Sequence, residues 1–333
     1  MFRALSVFAV LAALPLGAAS AAGRIQFLKM EKSPVVYDVL YRWGQVTPGP
    51  GGAYGPNISD SRSGWLLEEQ RYGDTDVIDG TLRRQPGLIA EGLSMFHFGL
   101  AREASNGSFP GAAWPFHGAA MFMSQAAPAL IVLSASRYRA RFESEIRWEI
   151  ARMVRASYYM VRSVGGAPRL DDPAKNHRYY EAALALGAVS LLGKDRTLRS
   201  WSERYARRGI EMERPDGIMP ENGGHDSGYQ ALGMISAARY LTLVARGGLA
   251  RTLHTALARG EAWELSRVRP DGSIDQAGDT RSAGCAERGP DGACKTVMYA
   301  PIYGALARWS AISGDPRYAQ AAEQVWRRSG YSG

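Results

Sequence analysis

From residue 88 onward, apolar side chains recur at three- and four-residue intervals, the spacing of a helix that buries one face. The recurrence predicts nine helices, at 88–104, 119–134, 138–164, 177–192, 197–212, 226–244, 249–266, 298–313 and 316–328. Alternating strand-like stretches are scarce, and the connectors carry the Gly, Pro, Asn and Asp that helix ends and turns require. The expected class is all-α.

The helices come in pairs, and one connector repeats. Arg214-Pro215-Asp216-Gly217-Ile218 returns as Arg269-Pro270-Asp271-Gly272-Ser273, 55 positions later, each time after two helices. A helical hairpin closed by a Pro-Asp-Gly turn is therefore the repeating unit. Hairpins repeated in this way build a ring or solenoid whose loops at one end form a binding face. We expect an (α/α) toroid or incomplete barrel over 88–333, preceded at 22–87 by an irregular arm packed on the body. The arm holds the Gly/Pro stretch TPGPGGAYGPN at 47–57 and the aromatics Tyr37, Tyr41, Trp43, Tyr54, Trp65 and Tyr72. Those rings either pin the arm to the body or line a sugar groove.

The first 21 residues change the compartment. Arg3, an apolar run from Ala4 to about Leu16 and small residues at Ala19-Ser20-Ala21 follow the pattern of a cleaved export signal. No later stretch reads as a membrane span, so no stable membrane insertion is expected once the signal is removed, and the expected location is periplasmic or secreted. Export also permits a disulfide. Cys285 and Cys294, bracketing AERGPDGA, are the only cysteines and are expected to pair. Formal net charge is +8, or +7 without Arg3. Such a balance favours a polyanionic partner. No nucleic-acid-binding motif or basic run is present, so the polyanions left to an exported protein are acidic polysaccharide, lipopolysaccharide and anionic lipid, the plain alternative being that the excess only aids solubility. Oligomeric state leaves no mark on the sequence.

Two clusters carry the chemistry. Asn176-His177 opens the helix at 177–192 after a Gly/Pro-rich loop, while Glu221-Asn222-Gly223-Gly224-His225-Asp226-Ser227-Gly228-Tyr229 leads into the helix at 226–244. The plain readings are a capping Asn176, a surface His177 and a core Tyr229. In a toroid, both helix starts meet at one end of the ring.

The pattern NHxYY…AxxxA…DRxLxxW…DGxxPEN…GYxAL over about residues 170–245 resembles the alginate lyases with an (α/α) toroid fold, in which an Asn-His pair opens one helix and a Tyr a later one. The resemblance implies a polysaccharide lyase acting on a uronic-acid polymer by β-elimination, with Asn176, His177 and Tyr229 in catalytic positions. Elimination removes the C5 proton, made more acidic when donors offset the adjacent carboxylate, and needs a base and an acid. Asn176 suits the first task, His177 and Tyr229 the others, and His225 is a further base or charge-neutralising candidate. No metal or cofactor is required. The family carries an Arg before the Tyr, where this chain has Asn222, Gly223 and Gly224; Arg281, in the loop after the second Pro-Asp-Gly turn, is the candidate replacement clamp. Trp114 and His117 either wall a subsite or pack beneath their loop, and Glu221 and Asn222 join the substrate-binding candidates.

Two other classes stay open. A glycoside hydrolase on this architecture would use two acids among Glu221, Asp226, Asp271 and Asp275. A noncatalytic glycan binder would keep the ring without turnover.

Overall fold

The structure is a computed structural model that describes residues 18–41, 44–58, 65–165, 174–289 and 292–330. The export-signal reading falls mostly outside them, at 1–17, as does Trp43. The helices, in chain order, are α1 Ala18–Glu31, α2 Pro34–Val36, α3 Gly73–Arg83, α4 Pro86–Leu100, α5 Pro115–Ser134, α6 Glu143–Ser163, α7 His177–Gly193, α8 Arg196–Met212, α9 Ser227–Leu243, α10 Gly247–Arg267, α11 Tyr299–Ser313 and α12 Pro316–Arg328. All nine helices expected from the periodicity are present. Helices α4 and α5 begin earlier than expected, each on a proline, which is tolerated in the first turn because its missing N–H had no intrahelical partner.

Two kinds of helix alternate. Helices α5, α7, α9 and α11 are apolar on nearly every side and lie against one another in that order, as inner helices should. Helices α6, α8, α10 and α12 carry one buried stripe each, including Met153, Leu198, Leu257 and Val325, and cover the inner ones. With α3 and α4 this gives an (α/α) toroid of helical hairpins. Helix α5 is long and apolar enough to cross a membrane, contrary to the expectation that no such stretch occurs, but 89% of its apolar window is buried as an inner helix. Truncating one fully buried inner leucine such as Leu186 to alanine would cost about 2–5 kcal/mol in lost contacts and cavity.

The N-terminal region is more ordered than an irregular arm. Helix α1 packs on α9 and α11, and the turn at 34–41 spans the gap between α11 and α3: the Tyr303 hydroxyl donates to the Val35 carbonyl, and the Tyr37 hydroxyl donates to Asp79 Oδ1 at 2.6 Å. The described arm aromatics pack. Tyr54 meets Tyr72, and Trp65 meets Phe98 and Phe109.

Connection lengths differ at the two ends of the ring. Turns α7–α8 and α11–α12 take two residues and α9–α10 three, whereas 213–226 and 268–298 are long loops at the other end. The repeated turn explains how those loops are anchored. Gly217 and Gly272 both have positive φ, and a Cβ on either would strike the backbone carbonyl of the next outer helix, Arg259 O in α10 or Gln324 O in α12. Glycine alone allows that docking. A third turn, at Ala104–Ser108, docks Gly107 on Arg155 of α6 in the same manner.

Candidate active site

The long-loop end gathers the first turns of α5, α7 and α9. His117, His177 and Tyr229 stand in a row, with ring centroids 6.4 Å apart for the two histidines and 5.2 Å for His177 and Tyr229. The loops hold this row by backbone pairing. Asn176 N–H donates to the Pro220 carbonyl at 3.1 Å and Asn222 N–H to the Ala174 carbonyl at 3.1 Å, tying the start of α7 to the loop before α9. Asp226 caps α9 by accepting from Tyr229 N–H at 3.2 Å, and its other oxygen accepts from the backbone N–H groups of Arg281 (3.2 Å) and Ser282 (3.1 Å). One carboxylate thus sets both the helix start and the loop that brings Arg281.

Around the row runs a chain of charge. His177 Nδ1 lies 2.9 Å from Glu221 Oε2, and Arg281 Nη1 donates to Glu221 Oε1 at 2.8 Å. Arg281 also grips Glu287, through Nε and through Nη2 at 3.0 Å, while its guanidinium lies 3.5 Å above the Tyr229 ring. Lys295 Nζ closes the chain by donating to Glu287 Oε1 at 2.7 Å and to Tyr229 Oη at 3.0 Å. The Arg281 hydrogen bond, followed by that of Lys295, outweighs burial and draws the Glu287 carboxyl down to about 2. A carboxylate at Nδ1 favours the histidine tautomer protonated there, leaving Nε2 as the acceptor. His177 is 3% exposed, whereas Tyr229 is only half-buried.

A second wall stands behind His117. His117 is driven down to about 2 by burial first and then by the charges of Arg178, His177, Arg71 and Lys175. Its Nδ1 is 3.6 Å from Glu181 Oε2, too long for a hydrogen bond, and neither atom has a hydrogen-bond partner among the described residues. Burial raises the carboxyls of Glu181 and nearby Glu68.

The remaining candidates are placed as follows. Asn176 is fully buried and donates its amide to the Gly209 carbonyl at 3.2 Å; it makes no side-chain cap. Arg281 is 4% exposed, with its donors taken by protein carboxylates rather than open to solvent. His225 turns away toward α10, its Nε2 3.2 Å from the Ala277 carbonyl and its ring 5.2 Å from Trp263, in a space that a side chain on Gly278 would fill. Glu221 is buried and doubly engaged, Asn222 is exposed in a left-handed conformation, and Trp114 is 47% exposed at the start of α5. Cys285 and Cys294 form the expected disulfide. Lys295, Glu287 and Glu181 were not identified from sequence. Glu181 left a trace, since α7 carries charge only at Arg178 and Glu181. Lys295 left none beyond following a cysteine.

No protein-family model matches this chain, and no curated protein matches it. Among solved structures, the unsaturated glucuronyl hydrolase of Bacillus sp. GL1, described as responsible for the degradation of glycosaminoglycan, is similar at TM-score 0.51 and 14% identity over 93% of this chain and 84% of its own. A UGL variant structure described with dGlcA-Glc-Rha-Glc matches with the same figures. A structure described as a polysaccharide lyase covers 94% of this chain and 90% of its own at 12% identity and TM-score 0.47. The first two share the toroid fold with this chain.

Proposed function

We propose that this chain is a polysaccharide lyase that cleaves a uronic-acid-containing polymer by β-elimination. The observation that supports it most is the pairing of His177 and Tyr229, one ring held from behind by Glu221 and the other only half-buried, with its hydroxyl held by Lys295. In the reaction a base takes the C5 proton, the electron pair forms a C4=C5 double bond, the C4–O bond breaks, and an acid protonates the departing oxygen. Tyr229, the more exposed group, meets the sugar as the acid, and also as the base where both groups lie on one face; His177 Nε2 is the base otherwise.

Charge neutralisation falls to the wall around His117. Within the Glu221–Arg281–Glu287–Lys295 chain two carboxylates balance two cations, so it offers a substrate carboxylate no net attraction. The wall around His117 holds Arg178, Arg71 and Lys175, whose charges suppress protonation of His117, beside Glu69 and beside Glu68 and Glu181, whose carboxyls burial raises toward the neutral form. Asn176, sealed against Gly209, holds the start of α7 rather than the sugar. The disulfide and the N-terminal pattern support a periplasmic or secreted location.

Incubation of purified protein with alginate, glucuronan and hyaluronan tests the reading: unsaturated products with near-ultraviolet absorbance are expected. Saturated reducing ends alone would overturn it. That result would favour a hydrolase, for which one observation speaks: Glu181, a buried carboxyl raised by its surroundings beside His117, is suited to act as a general acid. The four acids expected from sequence are otherwise occupied. Glu221 and Asp226 are locked in hydrogen bonds, and Asp271 and Asp275 stay in the exposed turn.

A further inference from the structure

Lys295 follows Cys294 directly, and Glu287 lies two positions after Cys285, so the disulfide crosslinks the two arms of the hairpin that carries the phenol's lysine and the glutamate that holds it. Beside it the described residues of the arms are joined by hydrogen bonds: Lys295 N–H to the Glu287 carbonyl at 2.9 Å, Gly289 N–H to the Ala293 carbonyl at 2.8 Å, Gly292 N–H to the Gly289 carbonyl at 2.9 Å and Arg288 Nη1 to the Gly292 carbonyl at 2.7 Å. A two-stranded ribbon of this size is marginal in water without further support.

The Lys295 ammonium, held by Glu287 at 2.7 Å, has hydrogens to give and no lone pair to accept with. At 3.0 Å it therefore makes the Tyr229 oxygen the acceptor, and the phenol's own hydrogen must point away from it. A phenol keeps its hydrogen near the ring plane, so the hydrogen takes the in-plane side opposite Lys295, clear of the Arg281 guanidinium above the ring face.

We infer that Lys295 is a positioning residue that aims the Tyr229 hydroxyl hydrogen away from the disulfide hairpin and toward substrate, and that the Cys285–Cys294 disulfide is required for turnover because it sets Lys295 in place. The inference rests on the lyase reading, in which Tyr229 moves the proton.

Kinetics of Lys295→Met, Lys295→Arg, the Cys285→Ser/Cys294→Ser pair and the triple variant Lys295→Met/Cys285→Ser/Cys294→Ser test it. Lys295→Met is expected to lower kcat about 10²-fold, the smaller end of what proton transfer contributes, with KM within about threefold. Lys295→Arg, which keeps a donor, should recover part of the loss. The cysteine pair should lose nearly as much as Lys295→Met, and combining the two should add nothing, because both remove one interaction. Full turnover in Lys295→Met, or losses that multiply in the triple variant, would overturn the inference. Lys295→Met retains the disulfide, so the test survives if the cysteine pair does not fold.

A second arm needs no substrate and separates this inference from the lyase reading. The chain has only five lysines, so ¹³C-methylated lysine signals can be resolved by NMR and that of Lys295 identified by its absence in Lys295→Arg. It should shift in Tyr229→Phe and again in the cysteine pair. A signal unmoved by both would refute the placement of Lys295, whereas a shifted signal in a protein that yields no unsaturated product would sink the lyase reading alone.

Discussion

Two clusters in this molecule use the same residue types, glutamate, arginine and tyrosine, for opposite ends. In the ring interior, Glu31 of α1 accepts from Arg239 of α9 and Arg308 of α11 at 2.8–3.0 Å and from the Tyr41 hydroxyl at 2.8 Å, and Arg239 also reaches Asp74 at 3.0 Å. Every member is buried. At the loop end, Glu221, Arg281 and Tyr229 are arranged as closely, but Tyr229 is open on one side and joined to a lysine. A sealed network has no work to do except fix which helices meet, whereas one with an open phenol can exchange a proton with something that enters. Solvent access at a single ring separates a staple from a reactive site.

The comparison breaks most sharply at that ring. Tyr229→Phe removes one oxygen and should lower kcat by about 10²–10⁴-fold, the range proton transfer contributes, with the thermal midpoint nearly unchanged. A variant with retained turnover would place the chemistry elsewhere.

The same kind of cut in the sealed cluster should reverse the outcome. Glu31→Ala strands two buried guanidinium groups and is expected to cost about 3–5 kcal/mol of stability, read by denaturant titration, while any folded fraction keeps its kcat. The cluster also predicts an acid limb. Burial alone would raise Glu31, but the charges of Arg239 and Arg308 overcome it and hold the carboxyl at about 2, against an ordinary value of 4.5. Because the folded value lies below the unfolded one, the stabilisation is full above about pH 4.5 and drains as pH falls toward 2. Glu31→Gln should flatten that limb. Asp74, which shares Arg239, is pushed upward by burial and contributes with the opposite sign.

Glu221→Gln sharpens the boundary between the clusters, because Glu221 is as buried as Glu31 but supports a residue of the row. It should leave Tyr229 in place, loosen His177 and Arg281, and lower kcat by about tenfold to 10²-fold, with a smaller loss of stability than Glu31→Ala. A loss confined to stability would move Glu221 into the structural class.

These differences also explain what the sequence disclosed. Helix periods survive any loop path, so the nine helices and the repeated turn were legible. His177 and Tyr229 were legible because a helix start has a fixed place in a hairpin ring. Lys295 and Glu287 were not, because their position depends on the course of the 268–298 loop and its disulfide, which no local pattern encodes. The sealed cluster was legible in principle: Arg239 and Arg308 are the only charged residues in α9 and α11, and a lone arginine in a helix buried on all sides must have a partner. Its partner Glu31 lay in a segment read as irregular, so the pairing went unseen.

His225 gives the smallest effect and the cleanest contrast with His177. Both precede or open a helix at the loop end, and sequence spacing treats them alike. In the fold, His225 leans on Trp263 and the Ala277 carbonyl, with Asp279 Oδ1 3.5 Å from its Nε2, and it closes the side of the loop facing α10 rather than joining the row. His225→Gln can keep the bond to Ala277 through its amide, so kcat should change by less than about threefold and stability by less than about 1 kcal/mol, the net value of an ordinary hydrogen bond. His177→Gln, carrying the same chemical change one helix away, should lose at least ten times more activity. Equal losses would mean that the reacting row extends past Tyr229 to the α10 side, and the open face of the site would have to be redrawn around His225.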